Sequence, residues 1–193
     1  MSLRPTFEIG VWNAWLFMLA FVILHMGAIV VSAILGDDAM TVIKRSVSSA
    51  PNLNVNKYYV YARVLVFLLI LAYSIFLPLK LGTGWLYVGI AVFLTGLTIY
   101  EVACALWARA TPDVPITKGP YTFSRHPIYL SMFIMLFGAA IAAASWLGLI
   151  PIIVLFLLSR SIAIEEEQFC TKVYGDSYFE YMKRTPRWVG LPR

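Results

Sequence analysis

The residues best suited to chemistry lie in two segments of the last third of the chain. The first reads TPDVPITKGPYTFSRHPIYLSMF from Thr111. Pro115 and the Gly119-Pro120 pair forbid a continuous helix there, which leaves backbone N–H groups free to meet a ligand. Pro127 suits the first position of a helix and holds His126 before it in an extended conformation. His126 is therefore expected to project from a helix amino terminus, where free N–H groups and the dipole favour a negatively charged group. Taken alone, the segment reads better as an interfacial loop with aromatic anchors than as a site.

The second segment reads RSIAIEEEQFCTKVYGDSYFEYMKRTPRWVG from Arg160. Arg160 to Val173 has the pattern of a helix ended by a turn at Gly175. Glu165, Glu166 and Glu167 would ordinarily form a solvated face. Their spacing suggests more, because seven residues at 3.6 per turn bring Arg160 and Glu167 to one side of the helix. A cation and an anion would then stand two turns apart on one pocket wall. Tyr174, Tyr178 and Tyr181, with Arg184, suit an amphipathic cap lying against lipid head groups.

Three ionisable side chains fall inside apolar stretches, where such residues are expensive and commonly functional. Arg63, near one end of its stretch, can snorkel to the interface. His25 can hydrogen-bond a neighbouring helix. Glu101 lies less than two turns before the polar loop at Trp107 and could face a site there. Cys104 and Cys170 form no CxxC pair and have no spaced histidine partners, so neither a disulfide framework nor a zinc site is expected.

These segments must be positioned by elements that live in lipid. Hydrophobic residues make up 61% of the 193-residue chain and charged residues 13%, with a mean hydropathy of +0.80. An ordinary soluble domain is only about half apolar. Spans are expected from Val11 to Leu35 (ending at Gly36 before Asp37 and Asp38), from Tyr58 to Leu79, and from Trp85 to Trp107. Each reaches the ~20 residues that cross about 30 Å of hydrocarbon. Ile128 to Ser159 is expected to form a tight hairpin of two short helices turning near Ala144 and Ser145. The fold class is thus all-α, a polytopic bundle of about five membrane helices with its polar site at the carboxy-terminal, cytosolic end. Residues 1–107 would hold the first three helices and residues 108–193 the catalytic segment. No cleavable signal is expected, since the first apolar run is too long for one.

Charge orients this bundle. Lys44, Arg45 and Lys57 lie between the first two spans, and Arg109, Lys118 and Arg125 lie before the hairpin. The tail adds Arg160, Lys172, Lys183, Arg184, Arg187 and Arg193, whereas the other side shows Arg4 and Lys80. The positive-inside rule puts the basic loops and tail in the cytoplasm and the amino terminus outside. The net charge of +5 then reflects contact with anionic lipid and gives no argument for nucleic acid.

Together the two segments resemble the isoprenylcysteine carboxyl methyltransferase family. The elements are Arg125-His126-Pro127-Ile128-Tyr129, then Glu165-Glu166-Glu167, then Tyr174-Gly175 through Tyr178, Tyr181, Pro186 and Arg187. The resemblance spans roughly Pro112 to Arg187 and implies a membrane enzyme that uses S-adenosylmethionine without a Rossmann-like domain. By that pattern Asp113, Val114, Pro115, Ile116, Tyr121, His126, Pro127, Ile128 and Tyr129 would line the cofactor pocket, joined by Glu166 or Glu167. Arg125 or Arg160 would orient an acceptor carboxylate, and no metal is implied. An ionised carboxylate needs no general base, so catalysis would rest on in-line positioning, which can contribute ~7–11 kcal/mol. The acceptor would be lipophilic, possibly prenylated, and would reach the site from the bilayer.

Three other readings compete. A sterol-type reductase would need more phosphate-binding cations than Lys118 and Arg125. Methylation of an amine or thiol would need a base, for which His126 or Glu101 could serve. A scaffold or transporter subunit would not concentrate its polar residues at one end of the bundle.

Overall fold

The computed structural model of the protein describes residues 8–34, 57–111 and 113–191. Among these residues six α-helices are described: α1 (Trp15–Ile34), α2 (Lys57–Ile75), α3 (Gly84–Ala108), α4 (Pro127–Ala142), α5 (Leu149–Tyr174) and α6 (Asp176–Arg184), with a short 3-10 turn at Gly119–Thr122 before α4. The described part is all-α; the sole β-like feature among these residues is an isolated bridge between Asn13 and Pro78.

α2 and α3 are each long and apolar enough to cross a bilayer. Neither is a buried core helix: in α2 only Ile70 and Ser74 are shielded from solvent, and in α3 28% of the apolar stretch is buried. Leu65, Leu68 and Leu69 of α2 stand exposed, as do Val22 and Ile23 of α1, Val88 and Leu94 of α3, and Ile150, Ile153 and Leu157 of α5. Such a continuous apolar girdle is stable only against lipid. The protein is a helical integral membrane protein.

The closest pairing is α3 with α4, and small residues make it possible. A Cβ built on Gly89 would lie 2.5 Å from the Ala142 nitrogen, and one on Gly138 would lie 2.6 Å from the Phe93 nitrogen. One on Gly96 would lie 2.9 Å from the Ser131 carbonyl oxygen. The two backbones therefore touch, a packing mode that lipid-embedded helices use because no hydrophobic force draws them together. Phe17 of α1 and Phe93, Leu97 and Met135 fill the space beside this seam. Ile70, Phe133, Leu136 and Leu155 join α2, α4 and α5.

At the end of the bundle far from the RHP segment, Asn13 knits three elements. Its Nδ2 donates to the Ile75 carbonyl at 2.7 Å, the Ala14 N–H donates to the Leu77 carbonyl at 2.9 Å, and the Leu79 N–H donates to the Trp12 carbonyl at 2.9 Å. These bonds explain two departures from the expected spans. The first helix starts at Trp15 rather than Val11, because residues 12–14 pair with Ile75, Leu77 and Leu79. The second stops at Ile75 rather than Leu79, because Pro78 cannot continue it and Asn13 takes its last carbonyl. α3 overlays the expected third span, extending it by one residue at each end. Leu35, Gly36, Asp37, Asp38, Lys44 and Arg45 lie outside the described residues, as do Arg4, Pro112 and Arg193.

The hairpin is present, turning through residues 143–148 with Ala144 at φ 49°. The Ser145 hydroxyl accepts the Gly148 N–H at 3.3 Å and meets the Tyr73 hydroxyl at 3.1 Å. Its second arm is not short. α5 runs 26 residues without a break, about 39 Å at 1.5 Å per residue, and ends only at Gly175 with φ 55°. One rigid rod thus joins the apolar hairpin to Glu165, Glu166 and Glu167, fixing them in register with His126.

Candidate active site

The amino end of α4 faces the distal half of α5, and the carboxy-terminal tail crosses over both. Pro127 opens α4 with His126 as its cap residue at φ −126° and ψ 58°. The helical region is avoided before the proline, but ψ 58° falls short of the extended conformation expected there; the His126 N–H donates to the Ser124 hydroxyl at 3.1 Å. The ring is buried and lies between two carboxylates. Its Nε2 is 3.1 Å from Glu167 Oε1, and its Nδ1 is 3.3 Å from Glu166 Oε2.

Glu167 is the hub. Arg187 donates to it twice, from Nε to Oε1 at 2.9 Å and from Nη2 to Oε2 at 2.8 Å. Arg125 Nε approaches Oε1 at 3.3 Å, yet that nitrogen is buried and lacks a well-aligned hydrogen bond. Burial alone would raise the Glu167 pKa; the hydrogen bonds from His126 and Arg187 and the nearby Arg125 charge overcome it and hold the carboxyl at about 2. Burial likewise works to lower the His126 pKa, but hydrogen bonds to Glu166 and Glu167 raise it above its ordinary value. The imidazolium, with both N–H groups donating, is the form this setting favours.

Glu166 is the more open of the two carboxylates, with 29% of its side chain exposed against 6% for Glu167. The Tyr129 hydroxyl donates to it, and the Tyr129 ring stacks on His126 at 5.7 Å. Trp188 closes the other side, 5.9 Å from the His126 ring and 4.9 Å from Phe156. The tail is pinned by backbone bonds: the Arg125 N–H donates to the Pro186 carbonyl at 3.0 Å, and the Ser124 hydroxyl donates to the Arg187 carbonyl at 3.2 Å. From α6, the Tyr181 hydroxyl donates to the Tyr121 carbonyl at 2.7 Å, locking the 3-10 turn. Tyr178 and Tyr181 are buried rather than lying against head groups as expected, and Tyr181 clamps the loop. Burial raises the pKa of Tyr121, Tyr178 and Tyr181 and keeps them neutral.

Of the residues marked by sequence, Arg125, His126, Tyr129, Glu166 and Glu167 come together, with Pro127 buried beside them. Ile128 is half-buried on the first turn of α4, Asp113 and Val114 are exposed, and Pro115 and Ile116 are half-buried. Arg160 is exposed, two turns from Glu167 on the same helix, while Arg187 of the tail pairs with Glu167. Arg187 and Trp188 were not marked as site residues, although Arg187 closes the tail motif. Nothing local signals that a residue twenty positions on folds back onto Glu167. His25 does bond a neighbouring helix: its Nδ1 lies 3.0 Å from Glu101 Oε1.

The charge arrangement carries a pH signature. The Glu167 contribution to stability is present above its ordinary 4.5 and is lost as pH falls towards about 2. The His126 contribution is present below its ordinary 6.5 and is lost as pH rises through its raised value. Thermal unfolding in detergent should therefore be highest between about pH 4.5 and 6.5 and decline on the alkaline side, with a flatter alkaline limb in His126→Gln. An equal alkaline decline in that variant would move the effect to another group.

The family model described as "Phospholipid methyltransferase" matches residues 79–177, which takes in α3, the RHP loop, α4 and α5. Over 193 residues the chain is 28% identical to a probable protein-S-isoprenylcysteine O-methyltransferase of Oryza sativa subsp. indica, covering 93% of this chain and 96% of the relative. It is 30% identical over 77 residues to the protein-S-isoprenylcysteine O-methyltransferase of Schizosaccharomyces pombe, covering 39% of this chain and 33% of that protein. With the Xenopus laevis protein-S-isoprenylcysteine O-methyltransferase it shares 33% identity over 78 residues, covering 40% of this chain and 26% of that protein. The matched segment is thus about a third or less of the fission yeast and frog proteins, and nearly all of the rice protein.

Proposed function

The chain belongs to the phospholipid methyltransferase family, and on that premise we propose that it moves a methyl group from S-adenosylmethionine to the carboxylate of a lipophilic, S-prenylated cysteine acceptor. The relatives' names supply the acceptor class. The observation that carries the reading is the cluster of Glu166, His126, Glu167 and Arg125 at the amino end of α4, inside the segment the family shares.

The donor set suits the methyl donor. S-adenosylmethionine is a zwitterion with a ribose diol, and the cluster offers a half-open carboxylate, an arginine with a buried Nε lacking a hydrogen bond, and a helix amino terminus. Glu166, backed by Tyr129, is proposed to take the ammonium or the ribose hydroxyls. Arg125 and the N–H groups at the start of α4 take the carboxylate, with Asp113, Val114, Pro115, Ile116 and Tyr121 forming the loop wall. His126, Pro127, Ile128 and Tyr129 form the floor. Glu167, saturated by Arg187 and His126, holds the frame rather than the ligand. When bound, S-adenosylmethionine supplies a methyl group already activated on a sulfonium.

A carboxylate acceptor fits the protonation of the site better than an amine. Both His126 ring nitrogens face carboxylates, so the ring is poorly placed to take a proton from an incoming nucleophile. Trp188 and Tyr129 shield the cluster from water, which strengthens each charged contact.

In the membrane, five passes are proposed: α1, α2, α3, α4 and the apolar first half of α5, with residues 108–193 forming the catalytic segment. The RHP loop, the distal half of α5 and the tail then lie on the cytoplasmic side and the amino terminus outside, as the basic residues favour.

Binding of radiolabelled S-adenosylmethionine to the purified protein tests the reading. Saturable binding that NADPH does not displace is expected, weakened about tenfold or more in Glu166→Gln by loss of a charged hydrogen bond. No binding at millimolar concentration would overturn it.

A further inference from the structure

Every cation of the cluster is committed. Arg187 grips Glu167 with two donors, Arg125 leans on the same carboxylate, and His126 sits between two glutamates. Arg160 faces solvent. The acceptor's carboxylate, on the function proposed above, still needs a binder.

One further guanidinium borders the site from the lipid side. Arg63 of α2 lies half-buried with its Cζ 4.5 Å from the centre of the Tyr129 ring. That tyrosine is the one whose hydroxyl holds Glu166, and Arg63 also lies within electrostatic reach of Tyr100 on α3. Among the described residues Arg63 makes no ion pair. Its helix neighbours Tyr61, Val64 and Leu65 are exposed apolar side chains of the lipid-facing surface. Snorkelling alone would turn the head away from the bundle; instead it lies over an aromatic face beside the cofactor-side glutamate. The planar fork shares a hydrogen bond with the Tyr129 side chain and, having several N–H donors, keeps others for an incoming anion.

We propose that Arg63 is the specificity residue that binds the acceptor's carboxylate. An acceptor whose apolar tail lies along α2 in the bilayer would bring its polar end to this guanidinium, on the Tyr129 side of the cluster. There a bidentate pair, formed away from bulk water, would be strong and would select an anionic acceptor over a neutral one.

The test measures binding, so that it does not depend on turnover. The intact protein in nanodiscs is titrated with S-farnesyl-N-acetylcysteine and with its carboxamide analogue, for wild type, Arg63→Met and Arg63→Lys. Wild type should prefer the acid over the amide by about tenfold or more, Arg63→Met should lose that preference, and Arg63→Lys should recover part of it. S-adenosylmethionine affinity and melting temperature should stay unchanged in both variants. A preference that persists in Arg63→Met, or no preference in wild type, overturns the proposal; so does a parallel loss of cofactor affinity, which would make Arg63 a mere support for Tyr129. Arg63-dependent preference in a protein that transfers no methyl group would uphold this inference and sink the function proposed above.

Discussion

Replacing Glu167 by glutamine should cost the protein both its fold stability and its activity. The carboxylate satisfies two Arg187 donors, one His126 N–H and the flank of Arg125 while only 6% exposed. Glutamine removes the charge and turns one acceptor into a donor facing cations. Breaking one side of a buried ionic group costs about 3–5 kcal/mol, because the partner charges stay behind without compensation. For a chain of this size that is a fall of roughly 10 °C or more in melting temperature. The tail should come loose as well, since Pro186 to Trp188 is held partly through Arg187. Removing both partners, in Glu167→Ala with Arg187→Ala, should cost less than the sum of the single changes. Full additivity in that cycle would mean the pair is not coupled. Glu166→Gln gives the contrast: cofactor affinity falls while the melting temperature barely moves.

The second large effect lies far from the chemistry. Gly138→Ala places a methyl group 2.6 Å from the Phe93 nitrogen and 2.8 Å from the Gly89 carbonyl oxygen. Both obstacles are backbone, so α3 and α4 must move apart, and overpacking of this kind costs about 1–3 kcal/mol or more. Gly89→Ala meets the Ala142 nitrogen at 2.5 Å and should cost as much. The double variant should cost little more than either alone, because one separation accommodates both methyl groups. Gly27→Ala is the control, since nothing lies within 4 Å of its Cβ position. Thermal unfolding of the four proteins in one detergent decides the matter; an undisturbed Gly138→Ala would mean that the helices are not in contact there. The seam carries α4, and α4 carries His126, so loss of packing should weaken cofactor binding too.

Much of the helical plan was legible in the chain because lipid-facing sequence is unambiguous: long apolar runs reveal α2 and α3 within a few residues. The break near Ala144 and Ser145 followed from small residues and Pro151. What stayed hidden depended on contacts distant in sequence. Asn13 trims two helices through the Ile75 carbonyl, sixty-two positions away, and no local pattern announces that bond. The site divides in the same way. His126 beside Pro127 was readable from backbone chemistry, and the triple glutamate run from its spacing to Arg160. How Glu166 and Glu167 divide around His126, and that Arg187 meets Glu167, depends on the rotation of α5. A helix apolar through its first half gives that rotation no readable mark, and only packing against α2 and α4 sets it.

The central claim, transfer of a methyl group to a carboxylate, is tested most directly by the chemistry of the product. The protein in nanodiscs, supplied with methyl-tritiated S-adenosylmethionine and S-farnesyl-N-acetylcysteine, should place label on the acceptor as a methyl ester. Mild alkali should then release that label as volatile methanol. Label that survives alkali, or that appears only on phospholipid amines, would contradict the account.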